Sequence, residues 1–159
     1  MRDGFVKVAA ATLNTKVADV EHNKWEIFRL IDETIENGAK IVVFPELCIT
    51  GYTCGDLFSQ DILLSQSAKA LEEIAAYTTG KDGLFFVGLP YVVCNKLYNV
   101  AAAVCDGEVI GMVTKTFLPN YSEFYEMRQF QPGPKKADWI PYGEEEIPFG
   151  PQILFACEE

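Results

Sequence analysis

The chain has 159 residues, of which 49% are hydrophobic and 23% charged, so it is long and apolar enough to bury the core of one globular domain. Its formal net charge is −10, from 13 basic and 23 acidic residues, which argues against nucleic acid or an anionic membrane as the main partner. The sequence has neither a run of about 20 apolar residues nor the pattern of a secretory signal. A cytoplasmic location is therefore expected.

The five cysteines show no CxxC spacing, and the single histidine is His22. A structural zinc site takes about four closely spaced ligands of these types, so no metal site is predicted. An odd number of thiols without a disulfide framework fits a reducing compartment.

The first part of the chain predicts a strand, a helix and a second strand. Residues 5–13 form an apolar, partly alternating run that is typical of a strand. Over residues 17–35, apolar side chains that include Trp25 recur mostly at three- and four-residue steps, which predicts an amphipathic helix facing a core. Residues 39–44 are mostly apolar and rich in β-branched side chains, and they predict a buried strand that ends at Pro45-Glu46.

The middle of the chain continues the alternation. A loop follows Glu46, Asp56 is a candidate cap for a short helical piece, and residues 67–77 predict a second amphipathic helix. Residues 84–93 predict another buried strand, and residues 97–105 and 108–114 predict two strands joined by the turn Asp106-Gly107. Interleaved helices and strands favour a layered α/β fold.

The last part of the chain is irregular. Residues 117–143 combine prolines and glycines with many aromatic residues, which is typical of a segment that shapes a site. Residues 153–157 predict the beginning of one more strand. Because that strand runs almost to the last residue, we expect a fragment that lacks the final strands of its sheet.

Glu46 is the first candidate for chemistry. It directly follows a predicted buried strand, and ligands of open α/β sheets bind at the carboxyl ends of the strands. A carboxylate at that position can serve as a general base. The alternative interpretation is an ordinary glutamate in a surface loop.

Lys115 is the second candidate. It follows the strand-like residues GMVT, and a lysine there can stabilise the negative oxygen that develops in acyl transfer. The alternative is a solvated lysine that leaves an edge strand. The aromatic segment after Lys115, with Glu126 and Arg128 as polar groups, either walls a small-substrate pocket or is a loop held by its aromatic side chains.

A thiol nucleophile would complete such a site, because thiolate attack on an amide needs a base and an oxyanion donor. Cys48 and Cys54 lie in the loop after Glu46. Cys94 and Cys105 lie in or beside predicted strands, as small core residues do. Cys157 lies in the last predicted strand.

The stretches VVFPELCITGYTCGDLF and KTFLPNYSEFYEMRQF together resemble the nitrilase (carbon–nitrogen hydrolase) superfamily. Within it, GY-x-C-x-DLF and K-x-x-LPNY-x-EFYE-x-R-x-F resemble the N-terminal glutaminase domains of glutamine-dependent NAD synthetases. The resemblance covers essentially the whole chain and implies a four-layer αββα sandwich. Residues 1–159 would form the N-terminal part of that domain, incomplete at the C-terminus, and the synthetase domain is absent from this chain.

The resemblance also implies a Glu–Lys–Cys triad. Glu46 matches the general base and Lys115 the triad lysine. Tyr121 matches the tyrosine of the LPNY motif, which is implied to touch bound glutamine. Tyr52 and Glu126 match positions that line the same pocket.

The triad cysteine is where this sequence departs from the resembled pattern. In the superfamily it belongs to a motif like G-x-x-IC-E-D, one strand later than the strand that follows P-F-G. Here ILFAC directly follows the Pro148-Phe149-Gly150 region, so Cys157-Glu158 arrives one strand too early. We therefore expect the nucleophile beyond residue 159 and expect the fragment itself to be inactive.

The function implied by the resemblance is glutamine hydrolysis that supplies ammonia to a synthetase domain using ATP and magnesium, in a homo-oligomer. This chain contains no GxxxxGK[ST] loop, so no cofactor is expected in it. Two alternatives stay open: a stand-alone amidase or nitrilase of the same superfamily, and a catalytically dead fragment with a structural role.

Overall fold

A computed structural model describes residues 4–156 as one mixed sheet of seven strands, two long helices and two short helical pieces. No helix in this described range is long and apolar enough to cross a membrane. The strands are β1 (Val8–Ala10), β2 (Ile41–Val43), β3 (Leu84–Val93), β4 (Lys96–Cys105), β5 (Glu108–Thr114), β6 (Asp138–Tyr142) and β7 (Glu145–Gly150). The helices are α1 (Val20–Glu36), α2 (Asp61–Tyr77) and the single-turn α3 (Glu126–Gln129), with a 3₁₀ segment at Tyr52–Ser59.

The order of strands in the sheet is β1-β2-β3-β4-β5-β7-β6. Strands β1, β2 and β3 are parallel to one another. Strand β4 is antiparallel to both of its neighbours, β3 and β5, and β7 is parallel to β5. Strand β5 therefore points the same way as β2. The carboxyl ends of β2 and β5 and the beginning of β4 meet at one edge of the sheet.

The two faces of the sheet differ in what covers them. Val42, Phe85 and Val104 are neighbours in register on three adjacent strands, and all are fully buried in the core that includes α1 and α2. Their chain neighbours point to the opposite face, where Val8 and Val43 are 63% and 49% exposed although they are apolar. In a four-layer αββα sandwich such a face packs against a second sheet. Residues 4–156 supply one helical layer and one sheet layer of that arrangement.

The predicted α/β class and several predicted elements are confirmed. Strands β3 and β5 have the predicted bounds, and β4 begins one residue earlier than predicted. The predicted turn between β4 and β5 is present, with left-handed φ values of 46° at Asp106 and 92° at Gly107. The first and second strands are shorter than their apolar runs, because only three residues of each are paired.

Other predictions were wrong in detail. Helix α2 begins at Asp61 instead of at residue 67. Asp56, the candidate cap of a short helical piece, lies inside the 3₁₀ segment Tyr52–Ser59, whose N-cap is Gly51. Trp25 does not face the core: it is 60% exposed, and its indole N–H donates to Glu21 at 2.8 Å. Residues 153–156 do not form a strand, whereas Glu145–Gly150 does. Cys157, which was predicted to come one strand too early to be the nucleophile, lies outside the described residues.

Candidate active site

Glu46 lies in a tight turn directly after β2. Leu47 adopts a left-handed φ of 52°, and its carbonyl oxygen accepts from the backbone N–H of Gly51 at 2.7 Å. The turn rests on Gly88 of β3, where a Cβ atom would come within 2.5 Å of both the Pro45 oxygen and the Leu47 nitrogen. A bare glycine on β3 therefore allows the turn that carries Glu46 to lie directly against the sheet.

Lys115 is the first residue after β5, at the same edge of the sheet. Its backbone N–H donates to the carbonyl oxygen of Asn99 at 2.9 Å, and its own carbonyl oxygen accepts from Gly133 at 2.9 Å. These two bonds fix the backbone from which the lysine side chain reaches Glu46.

Three of the predicted site residues meet at the ammonium group of Lys115. Its Nζ donates to Glu46 Oε1 at 2.7 Å and to Glu126 Oε1 at 2.8 Å. Glu126 Oε1 also accepts from the hydroxyl of Tyr52 at 2.7 Å. Four of the five predicted residues thus form one continuous hydrogen-bonded cluster, although they come from two segments that are more than 60 residues apart in the sequence.

The electrostatics of the cluster keep Lys115 charged. Burial alone lowers the pKa of Lys115, but its hydrogen bonds to Glu126 and Glu46 outweigh burial, and the net shift is upward. The ammonium therefore stays protonated at neutral pH. Because Nζ carries three hydrogens and donates two to the carboxylates, the third is available to an oxygen of a ligand.

The two carboxylates differ in exposure. The side chain of Glu46 is 40% exposed, whereas that of Glu126 is only 5% exposed. Glu126 Oε2 is buried without a hydrogen-bond partner among the described residues. Glu46 is therefore open to a reacting group, and Glu126 is an internal counter-ion for Lys115.

The two tyrosines are placed differently. Burial, followed by the hydrogen bond to Glu126, raises the pKa of Tyr52, so its hydroxyl is a neutral donor to that carboxylate. Tyr121 is 68% exposed and packs edge-on against Phe124, with ring centroids 5.6 Å apart. Within residues 4–156 it makes no hydrogen bond to Glu46 or Lys115, yet it lies close enough to Tyr52 to contribute to the raised pKa.

Residues 7–156 match the carbon-nitrogen hydrolase family, and this match spans most of the chain. The chain belongs to the carbon-nitrogen hydrolase family. The predicted nitrilase-like fold is confirmed by this match and by the similarity to solved structures.

Similar proteins include glutamine-dependent NAD(+) synthetases. The one from Mycobacterium leprae is 35% identical over 156 residues, which cover 98% of this chain and 23% of that protein. The one from Aquifex aeolicus is 43% identical over 129 residues, covering 81% of this chain and 22% of that protein. The chain thus spans about a quarter of the length of these curated relatives.

Solved structures agree with this similarity. A glutamine-dependent NAD(+) synthetase from Cytophaga hutchinsonii superposes with a TM-score of 0.90 at 33% identity, over 96% of this chain and 26% of the other. An amidase from Nesterenkonia sp. superposes with a TM-score of 0.71 at 20% identity, over 93% of this chain and 56% of the other. The amidase similarity concerns the fold alone.

Asn99 is a further residue of the hydrogen-bonded cluster, and it was not singled out from the sequence. It lies in β4, is 3% exposed, and its Nδ2 donates to Glu46 Oε1 at 2.5 Å. The available signal was an amide side chain inside the apolar run LYNVAAAVC, because a buried amide in a strand needs a specific hydrogen-bond partner.

The motifs GY-x-C-x-DLF and K-x-x-LPNY-x-EFYE-x-R-x-F meet in space. Residues 52–58 of the first and 126–130 of the second face one another through a hydrogen bond, an ion pair of 3.0 Å and an edge-to-face aromatic pair with centroids 5.0 Å apart. The pairs are Tyr52 with Glu126, Asp56 with Arg128, and Phe58 with Phe130. The motifs therefore form one structural unit that supports Glu126.

A cavity of about 630 Å³ lies beside this unit and not at the Glu46–Lys115 pair. It is lined mainly by polar residues, and the Asp56–Arg128 ion pair forms part of its wall. The hydrogen-bonded cluster, rather than cavity size, identifies the candidate active site of this carbon-nitrogen hydrolase.

Cys48 and Cys54, the thiols that follow Glu46 in sequence, are not placed to act as the nucleophile. Cys48 is 1% exposed and donates to the Gly88 carbonyl oxygen at 3.4 Å, and burial raises the pKa of its thiol to about 12. Cys54 donates to Thr50, and burial raises its pKa as well. Buried thiols with raised pKa values are poor nucleophiles.

The remaining described cysteines lie elsewhere on the sheet. Cys94 is in the turn between β3 and β4, and Cys105 is six residues beyond Asn99 along β4, a distance of about 20 Å in an extended strand. Within residues 4–156, the hydrogen bonds of the Glu46 carboxylate come from Lys115 and Asn99 and not from a thiol. The same range contains no group of three or more His, Cys, Asp or Glu side chains that could hold a metal ion.

Proposed function

We propose that this chain is the part of a glutaminase domain that carries the general base and the oxyanion-stabilising lysine, and that the intact protein hydrolyses glutamine to glutamate and ammonia. The observation that carries the proposal is the position of Lys115 Nζ between Glu46 at 2.7 Å and Glu126 at 2.8 Å. The similarity to glutamine-dependent NAD(+) synthetases supports glutamine as the amide substrate.

The first chemical step forms a thioester. Glu46 takes the proton from a cysteine thiol, and the thiolate attacks the carboxamide carbon of glutamine to give a tetrahedral adduct. The adduct collapses, and the proton held by Glu46 goes to the nitrogen, so that the C–N bond breaks and ammonia leaves.

Lys115 stabilises the tetrahedral adduct. The carboxamide oxygen becomes negative when the thiolate attacks, and the remaining N–H of the Lys115 ammonium donates to it. Glu126 and Glu46 hold the ammonium in place before the substrate arrives. The raised pKa of Lys115 keeps this donor charged throughout the cycle.

The second chemical step is hydrolysis of the thioester. Glu46 accepts a proton from water, the hydroxide attacks the acyl carbon, and the thiol leaves with that proton to release glutamate. Tyr52 and Tyr121, together with Glu126, are assigned to the wall of the glutamine pocket. Tyr52 also holds Glu126 by the 2.7 Å hydrogen bond.

The nucleophilic cysteine belongs to this proposal and is assigned beyond residue 159. Cys48 and Cys54 are buried with raised pKa values, and Cys105 lies about 20 Å along the strand from Asn99. Residues 1–159 by themselves should therefore lack glutaminase activity.

The ammonia is proposed to pass to a synthetase domain of the same protein, which would use ATP and magnesium to amidate deaminated NAD. The curated relatives are about four times as long as the matched region, which leaves room for such a domain in them. A cytoplasmic homo-oligomer completes the proposal.

The test is to compare two nitrogen sources in the product of the intact gene. NAD formation is measured with glutamine and with ammonia for the wild type, Glu46→Gln and Lys115→Met, with Glu123→Gln as the control. Glu123 is exposed and lies on the same aromatic segment. Glu46→Gln and Lys115→Met should each lower the glutamine-dependent rate by about 100-fold or more and leave the ammonia-dependent rate intact.

Other outcomes would replace the proposal. Glutamine-dependent activity that survives both substitutions would exclude Glu46 and Lys115 as catalytic residues. Hydrolysis of simple amides without NAD formation from either nitrogen source would favour a stand-alone amidase. Absence of any amide hydrolysis by the wild-type protein would favour a catalytically dead fold with a structural role.

A further inference from the structure

The two carboxylate oxygens of Glu46 have different environments. Oε1 accepts two hydrogen bonds, from Lys115 Nζ at 2.7 Å and from Asn99 Nδ2 at 2.5 Å. Oε2 has no hydrogen-bond partner within residues 4–156, and the side chain is 40% exposed. The carboxylate is therefore held by one oxygen while the other is free to take a proton.

Asn99 contacts both catalytic residues of the proposed site. Its side chain donates to Glu46, and its carbonyl oxygen accepts the backbone N–H of Lys115 at 2.9 Å. Asn99 is 3% exposed in β4, between β3 and β5, so its position is set by strands on both sides. One residue thus fixes the base and the lysine relative to one another.

We propose that Asn99 is a positioning residue that directs Glu46 to use Oε2 as the proton-accepting atom. This inference rests on the proposed function for the reaction itself, but the orientation of the carboxylate is a separate property of the site. Lys115 alone holds Oε1 through a single flexible side chain. A second donor, from a rigid strand, removes the remaining rotation of the carboxylate.

The chemistry of asparagine suits this task. An ionised carboxylate only accepts hydrogen bonds, so the group facing Oε1 must be the amide NH₂ of Asn99. The amide is neutral, so it orients Glu46 without adding a second positive charge beside Lys115. Leucine has nearly the same shape without a donor, and aspartate has the same shape with an acceptor in place of the donor.

The experiment measures kcat and KM for glutamine in the intact protein for the wild type, Asn99→Leu and Asn99→Asp. The control is Thr114→Val, because Thr114 is also buried on this part of the sheet but its Oγ1 has no partner among the described residues. We expect kcat to fall by about 10- to 100-fold in both Asn99 variants, because small misplacements of a reacting group have costs of this size. KM should change by less than about threefold, since the role proposed for Asn99 is to orient Glu46 and not to bind substrate.

A merely structural role for Asn99 predicts a different pattern. It would lower the amount of folded protein and leave kcat per folded molecule equal to that of Thr114→Val. Normal kcat in a folded Asn99→Leu or Asn99→Asp protein would overturn the proposal. If Asn99→Leu does not fold, the aspartate variant, which keeps the shape, provides the same comparison.

A second measurement separates this proposal from the proposed reaction. A crystal structure of Asn99→Leu should have the Glu46 carboxylate turned away from its wild-type orientation, whatever the substrate is. An unchanged carboxylate would overturn the positioning role even if the glutaminase activity is established. If the wild-type protein does not hydrolyse glutamine but the carboxylate is turned in Asn99→Leu, the proposed reaction is overturned and the positioning role of Asn99 stands.

Discussion

The side-chain amide nitrogen of Asn23 lies 3.0 Å from the carbonyl oxygen of Ile49 and ties helix α1 to the turn that follows Glu46. The same amide group accepts from the backbone N–H of Lys16 and donates to its carbonyl oxygen, both at 2.8 Å. Asn23 is fully buried. The turn that Asn23 holds begins at Glu46 and leads to Tyr52. One buried amide therefore supports the backbone between two residues of the candidate site.

Asn23→Ala should destabilise this region strongly. The Ile49 carbonyl oxygen would be left buried without this partner, which costs about 1–3 kcal/mol. The two Lys16 backbone groups, whose bonds to Asn23 are only part-buried, would add less. Hydrogen-exchange mass spectrometry of peptides covering residues 14–19 and 47–51 measures the effect locally. Asn37→Ala is the matched control, because Asn37 is exposed at the end of α1 and its side-chain amide donates only to Glu33 of the same helix. Equal protection in the two variants would contradict this role.

Gly88→Ala should displace the turn that carries Glu46. The new methyl group would meet the Pro45 oxygen and the Leu47 nitrogen at 2.5 Å, and both are backbone atoms that cannot move by a side-chain rotation. Overpacking of this kind costs about 1–3 kcal/mol, and a shifted Glu46 should lower glutaminase activity by about tenfold or more. The measurements are the unfolding midpoint in denaturant and kcat with glutamine.

Gly83→Ala is the control for that substitution. Its new Cβ would meet only side-chain atoms, Ile35 Cδ1 at 2.9 Å and a Phe85 ring carbon at 3.0 Å, which can adjust. We expect it to leave kcat unchanged. If Gly88→Ala retains the activity of Gly83→Ala, the close approach of the turn to β3 is not required for catalysis.

Tyr52 should remain protonated to a higher pH than an exposed tyrosine. Burial and the hydrogen bond to Glu126 raise the pKa of Tyr52, and the two carboxylates raise that of Lys115. In the unfolded chain these groups lose their protons near pH 10, so above that pH the unfolded state binds fewer protons and stability falls as pH rises. The pKa values of Tyr77, Tyr91 and Tyr142 are raised as well, so ultraviolet titration of tyrosinate should reveal several late components, one of which is missing in Tyr52→Phe. An unchanged titration in that variant would contradict the buried hydrogen bond.

Local sequence patterns predicted much of this fold. The strands Leu84–Val93 and Glu108–Thr114 were predicted with the observed bounds, because apolar runs and a two-residue turn are properties of short segments. Trp25 was misassigned because helical periodicity placed it near the apolar stripe, whereas its indole N–H is satisfied by Glu21 at the surface. Strand β7 was missed because its pairing with β5 and β6 comes from distant parts of the chain.

The site was predictable to a similar extent. Glu46 and Lys115 follow strands whose directions can be guessed from the order of elements, and the structure brings them to 2.7 Å. The support from Asn23, Gly88 and Asn99 was not predictable, because each contacts residues 26 to 53 positions away through side-chain or backbone atoms. A sequence pattern does not encode such contacts without the fold.

Asp32 gives the protein a defined response to acid. Hydrogen bonds from Lys81 and from Tyr77 hold the pKa of Asp32 below its ordinary value, and they connect α1 with α2 and the loop that follows it. A carboxylate with a lowered pKa contributes stability above its unfolded pKa, which is about 3.9, and loses it as the pH falls through the lower folded pKa. The contribution is small, because the Asp32 side chain is 43% exposed to solvent.

Asp32→Asn should therefore reduce the free energy of unfolding at pH 7 by no more than about 1 kcal/mol. The difference from wild type should shrink below about pH 4. There the Asp32 carboxylate becomes protonated in the unfolded chain while it is still ionised in the folded protein. Urea unfolding at several pH values measures this difference. Asp82→Asn is the matched control, because Asp82 pairs with Lys40 but is 87% exposed. A constant difference between wild type and Asp32→Asn across this pH range would mean that Asp32 contributes through packing and neutral hydrogen bonds instead of through its charge.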